Sequence, residues 1–118
     1  VKRSELVLYF QPVVSLTGGT IVGFETLLRW RHPKLGFITP DKFIPIAEES
    51  GLIIPITKWI LHEACRQMAA WKETVPNTKH LKISINISGK HLADENLPEQ
   101  VQAALIESGL DATSLILE

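Results

Sequence analysis

The sequence is short of most things that announce a function. Its 118 residues hold one cysteine, one tyrosine and one methionine, and aromatic residues make up 7%. A single cysteine, Cys65, excludes an intrachain disulfide and a cysteine-based zinc cluster. Set in an apolar stretch, it reads as a small buried hydrophobe. Neither sign of charge dominates: 12 basic residues face 13 acidic ones, for a net charge of −1 and a pI near 6.5. That balance provides no field for steering onto a polymeric nucleic acid, although a few placed arginines still suffice for a small phosphate ligand. No run approaches the roughly 18 apolar residues of a membrane span, and no signal peptide is visible. Membrane contact by this segment is therefore not expected, and a reducing, cytoplasmic setting is. There is no initiator methionine, so the chain reads as part of something longer, whose other domains could anchor it to a membrane. Low-complexity tracts and internal repeats are absent too.

What is present is a globular composition, 45% hydrophobic and 21% charged. Residues 5–15, "ELVLYFQPVVS", are rich in β-branched and aromatic types and predict a strand. "LTGG" (16–19) predicts a turn, and "TIVGFETLLRW" (20–30) a second strand, so the two form an antiparallel hairpin. Pro33, Gly36 and Pro40 mark residues 31–40 as loop. Thr39-Pro40-Asp41 then predicts a helix start, with Thr39 as cap, and Gly51 its stop. A longer helix over about 54–73 follows from Ile56, Ile60, Ala64, Met68 and Trp71 at helical spacing. "LKISINIS" (81–88) alternates strictly and predicts a strand. A mostly helical stretch follows, closed by Gly109, and "SLILE" (114–118) begins another strand. From the second strand onward the order is βαβαβ, which favours a parallel sheet with helical crossovers. An eight-stranded α/β barrel needs about 250 residues, so this length fits about half of one.

Alternation sorts the polar residues onto one side. Gly23, Glu25, Leu27 and Arg29 share a face, opposite Val22, Phe24, Thr26, Leu28 and Trp30. In the next strand Ser84, Asn86 and Ser88 oppose the isoleucines. In the last, Glu118 goes with Ile116, while Leu115 and Leu117 face the helices. Gln11 is the polar residue between Phe10 and Pro12. In α/β barrels the C-terminal ends of the strands hold the active site. Glu25, Asn86 and Glu118 are hard oxygen donors of the kind Mg²⁺ or Mn²⁺ takes, and Arg29 can grip a phosphate. Plainer readings exist for each: an exposed strand face for Glu25, a solvated antiparallel face for Asn86 and its serines, a surface charge for Arg29, a strand-end cap for Gln11. The histidines read as structural, with His32, His80 and His91 in or beside loops and facing solvent. Glu48 and Glu49 read as an exposed helix end.

The run "LYFQPVVSLTGGTIVGFETLLRWRHPKLGFITPDKFIPIAEESGLI", with Trp59, Ala64-Cys65, "INIS" (85–88) and "LILE" (115–118), resembles the EAL domain across essentially the whole chain. That family hydrolyses the bacterial second messenger cyclic di-GMP to linear pGpG. The resemblance implies the N-terminal half of a modified TIM-type (β/α)₈ barrel whose first strand is antiparallel, with residues 1–118 as a partial domain. It implies that Glu25, Asn86 and Glu118 are ligands to Mg²⁺ or Mn²⁺, that Arg29 holds a substrate phosphate, that Gln11 contacts the ligand near a guanine, and that Leu27 lines the site. Sensor or GGDEF-type domains are expected in the parent chain.

There are two departures. Thr26 stands where the family signature has alanine, on the helix-facing side, and removes no ligand. The family's double-aspartate strand, catalytic lysine and later glutamate and glutamine ligands belong to the half after Glu118. The 118 residues alone are therefore expected to be inactive, and to pair with another copy or with the complementary C-terminal half. The alternative is a catalytically degenerate EAL domain acting as a cyclic di-GMP receptor or interaction module.

Overall fold

The computed structural model describes residues 5–118, the side chain of Lys90 excepted. Strand β1 (Leu6–Val14) and strand β2 (Ile21–His32) form the expected hairpin. Its turn closes through Ser15 N–H to the Thr20 carbonyl at 2.8 Å and Gly19 N–H to the Ser15 carbonyl at 2.9 Å. Helices α1 (Pro40–Ser50) and α2 (Ile53–Thr74) follow, then β4 (Lys82–Ile85), a single turn α3 (Gly89–Leu92), α4 (Leu97–Ser108) and β5 (Leu115–Leu117). Strand β3 is the short Gly36–Ile38. The sheet runs β1-β2-β4-β5, with β3 also on β2. Pairing of β2 with β4 and of β4 with β5 is parallel, as the βαβαβ order requires.

Residues 31–40 are not all loop. β2 runs on to His32 and turns back into β3, pairing Trp30 with Ile38 and His32 with Gly36. Two local features make this turn. Gly36 takes φ 75°, a conformation that glycine adopts without Cβ strain. The His32 ring accepts at Nδ1 from the Lys34 and Leu35 N–H groups, at 3.1 and 3.2 Å. Thr39 also differs from expectation: its side chain makes no capping bond, and its carbonyl accepts from Lys42 and Phe43 instead. Gly51 and Gly109 close α1 and α4 as predicted.

The helices cover one face of the sheet. Ile56, Ile60, Leu61, Ala64, Cys65 and Met68 of α2 are buried, and so are Ile83, Ile85 and Ile87 beneath them. Burial of this stripe is the main hydrophobic stabilisation of the segment. Trp71 packs edge-on against Phe10 and at a tilt against Phe24, with ring centroids 5.2 and 5.1 Å away. At the edge, Leu115 joins this core, but Leu117 is more than a third exposed. Glu48 is half-buried, not exposed as expected, while Glu49 is exposed.

His91 is a second correction. It is fully buried, not solvent-facing. The α3 turn tucks it against α4, where its Nε2 meets Gln100 Oε1 at 2.8 Å, and Ser88 caps the turn by accepting the His91 N–H at 3.2 Å. Sequence pattern marks residue 91 as near-loop; only the packing of α3 on α2, with Gln100 of α4 beside it, turns the ring inward.

Candidate functional site

The uncovered face of the sheet carries the polar residues. Ladder partners share a face, so the register assembles them directly. Gln11 lies opposite Glu25 in the hairpin. Glu25 lies opposite Ser84 across the parallel β2–β4 pair. Asn86, two residues beyond Ser84, donates from Nδ2 to Glu25 Oε1 at 3.3 Å. β5 brings up Glu118: its N–H donates to the Ile85 carbonyl at 2.9 Å, and its carbonyl accepts from the Ile87 N–H at 2.8 Å. Those two bonds continue the β4–β5 register beyond Ile85↔Leu117 and set Glu118 beside Asn86. Three oxygen-bearing side chains from three parallel strands thus gather on one face, Asn86 and Glu118 just beyond the ends of β4 and β5 and Glu25 early in β2. Glu25 is half-buried, while Gln11, Asn86 and Glu118 are exposed.

Arg29 is on the same face, four residues beyond Glu25, or about 13 Å along the strand. Its Nη1 donates to the Leu28 carbonyl at 2.8 Å. The β2–β4 pairing spans only Gly23–Glu25, so the strands part above it. A cavity of about 240 Å³ opens there between the sheet and the helices, its lining mostly apolar (Leu28, Ile44, Ile53, Ile60, Ile85 and Ile87), with Leu27, Arg29, Asn86 and Ser88 also bordering it. Leu27 is half-buried in its wall.

Two backbone-level features hold this geometry. A Cβ on Gly23 would collide with the Lys82 carbonyl oxygen, so only glycine lets β2 and β4 approach here. Thr26, buried at 5% exposure, points to the helix side and donates from Oγ1 to the Ser84 carbonyl at 2.9 Å. The added hydroxyl at the signature alanine position therefore finds a partner, and it ties β2 to β4 beside Glu25.

The donor set suits a hard cation: two carboxylates and an amide, with no sulfur or imidazole. Among the described residues no group of three or more His, Cys, Asp or Glu side chains converges. Glu25 and Glu118 with Asn86 amount to part of an oxygen coordination sphere. Three further residues on this face, Tyr9, Arg31 and Phe37, are not singled out by the sequence. Tyr9 lies opposite Leu27 and Phe37 opposite Arg31. Tyr9 was legible, because it sits two residues before Gln11 in an alternating strand. Phe37 was hidden in an assumed loop, and with it the role of Arg31.

A helix-backed sheet with parallel strands presenting acidic and amide oxygens at one end defines a segment of a TIM-like α/β barrel with an oxygen-rich site. The EAL domain profile matches residues 1–118, and the chain belongs to that family. It is 43% identical over 117 residues to the bifunctional diguanylate cyclase/cyclic di-GMP phosphodiesterase MucR of Pseudomonas aeruginosa, covering 99% of this chain and 17% of MucR. It is 37% identical over 112 residues to the cyclic di-GMP phosphodiesterase PA2567 of the same organism, covering 94% of this chain and 18% of that one. The solved PaMucR phosphodiesterase, in complex with c-di-GMP, superposes with a TM-score of 0.92 at 43% identity, over 98% of this chain and 46% of that structure. The chain thus spans under a fifth of these relatives and under half of the solved domain.

Proposed function

We propose that the protein carrying this chain is a metal-dependent phosphodiesterase that hydrolyses cyclic di-GMP to linear pGpG. The observation that carries the reading is the gathering of Glu25, Asn86 and Glu118 on one face, with Asn86 bonded to Glu25 at 3.3 Å. The names of the relatives MucR and PA2567 support the activity, and the c-di-GMP complex of PaMucR supports the ligand.

Glu25 and Glu118 offer carboxylate oxygens to Mg²⁺ or Mn²⁺, and Asn86 offers its carbonyl once its amide turns from Glu25. A divalent ion held by these oxygens would supply a more acidic water and offset charge on the phosphate oxygens. Arg29 holds a non-bridging phosphate oxygen through its guanidinium fork. Leu27 lines the substrate site. Gln11, beside Glu25, bonds the ligand near a guanine. The remaining acid-base groups come from the second half of the barrel, so these 118 residues alone do not turn over substrate. In the parent chain the domain answers to sensor or GGDEF-type domains and works in the cytoplasm, and this half pairs with a second copy or with the complementary C-terminal half of the barrel.

The test is release of pGpG from cyclic di-GMP by the full-length protein, with Mg²⁺ or Mn²⁺ and then with a chelator. No metal-dependent release overturns the catalytic reading. Tight binding without turnover instead places the domain among cyclic di-GMP receptors.

A further inference from the structure

Tyr9 and Phe37 stand on the same face as Glu25, Leu27 and Arg29, by the register of β1 and β3 on β2. They come from opposite sides of β2 and lean together over it, ring centroids 6.4 Å apart and planes at 47°. At that spacing and tilt the rings do not cover one another: Tyr9 is 45% and Phe37 52% exposed. The Arg31 guanidinium lies 5.1 Å from the Phe37 centroid, a cation–π contact that steadies the ring. Arg29 sits between Leu27 and Arg31 on β2, about 7 Å along the strand from each. A phosphate anchor and two half-exposed aromatic rings are therefore neighbours, as the two ends of a nucleotide require.

We propose that Tyr9 and Phe37 form a stacking wall for a purine base of the ligand whose phosphate Arg29 holds, with Arg31 positioning Phe37. The proposal rests on the cyclic dinucleotide reading of the site and adds specificity-determining residues to it. Stacking uses the π-face that every base has, so it selects for a planar heteroaromatic group without distinguishing guanine from adenine. That choice falls to hydrogen-bonding groups such as Gln11.

The probe is a cyclic dinucleotide with 2-aminopurine in place of one guanine, mixed rapidly with the full-length protein so that binding is read before turnover. Stacking quenches its fluorescence. The wild type quenches it; Phe37→Leu and Tyr9→Leu weaken binding about tenfold and restore the fluorescence. Phe37→Trp keeps both affinity and quenching. Competition by inorganic phosphate, which reports on Arg29, is unchanged in all of them. Binding and quenching by Phe37→Leu equal to wild type overturn the wall and leave the phosphodiesterase reading intact. So does equal loss in Phe37→Trp with a lowered thermal midpoint, which marks a packing role. A wild type that neither binds nor hydrolyses a cyclic dinucleotide overturns both.

Discussion

Asn86 and Glu25 are 61 positions apart in sequence and hydrogen-bonded in the fold, Nδ2 to Oε1 at 3.3 Å. Neighbouring parallel strands bring them together, and each is an oxygen donor for the same proposed cation. Replacing either with alanine in the full-length protein should lower cyclic di-GMP turnover by more than about a hundredfold, the upper end of what outer-shell changes cost at metal sites. Release of pGpG measures it. Turnover within a few fold of wild type would remove Glu25 and Asn86 from the site.

At Gly23 β2 and β4 approach so closely that a methyl group there would collide with the Lys82 carbonyl. Gly23→Ala should destabilise the domain by about 1–3 kcal/mol, the range for overpacking. A shift in the urea midpoint at unchanged slope would show it. Because Glu25 and Asn86 sit just above this contact, turnover should fall as well.

Thr26 ties the same two strands through its hydroxyl to Ser84. Thr26→Val keeps the shape and removes the donor, leaving the Ser84 carbonyl without that bond. The expected cost is about 1 kcal/mol of stability, with KM for cyclic di-GMP unchanged, since the side chain points away from the ligand face. Chemical denaturation and steady-state kinetics separate the two effects.

Cys65 is fully buried on α2, and burial raises its thiol pKa from 9.0 to about 11. The native thiol therefore stays protonated at neutral pH and should resist alkylation until the domain unfolds. The sign for stability follows from linkage. Between the unfolded value and about 11 the unfolded chain loses a proton that the folded one keeps, so stability falls as pH rises through that window. Cys65→Ala should flatten this alkaline slope, read as denaturation midpoints between neutral and high pH.

The face bearing the site exposes Tyr9, Phe37 and Ile116 together, and no described element covers it. Uncovered apolar area of this kind, next to open strand edges, drives association. The 118 residues expressed alone should elute as dimers or larger species, or bind the complementary C-terminal half. A stable monomer in sedimentation would contradict this.

Much of this protein is legible from local pattern. Alternation in "LKISINIS" separates Ile83, Ile85 and Ile87 from Ser84 and Asn86, because side chains on a strand alternate between faces whatever the fold. The same rule puts Glu25, Leu27 and Arg29 together. Helical spacing marks the α2 core residues, glycines mark the helix ends, and the order of elements implies a parallel sheet. The motifs around Glu25, Asn86 and Glu118 carry the likeness to the EAL family in the amino-acid sequence itself.

Tertiary structure decided what depends on neighbours distant in sequence. Which donors meet is a matter of register: one residue of slip between β2 and β4 would turn Glu25 away from Asn86. The Lys82 carbonyl, not the local sequence, makes Gly23 necessary, and the Ser84 carbonyl gives Thr26 its partner. His91 has the local pattern of a loop residue, and the packing of α3 onto α2 buries it beside Gln100. Phe37 lies in an apparent loop because three residues are too few for an alternation signal, and only pairing with β2 makes them a strand. Local periodicity set the faces, while the faces that meet were chosen by backbone hydrogen bonds across the sheet.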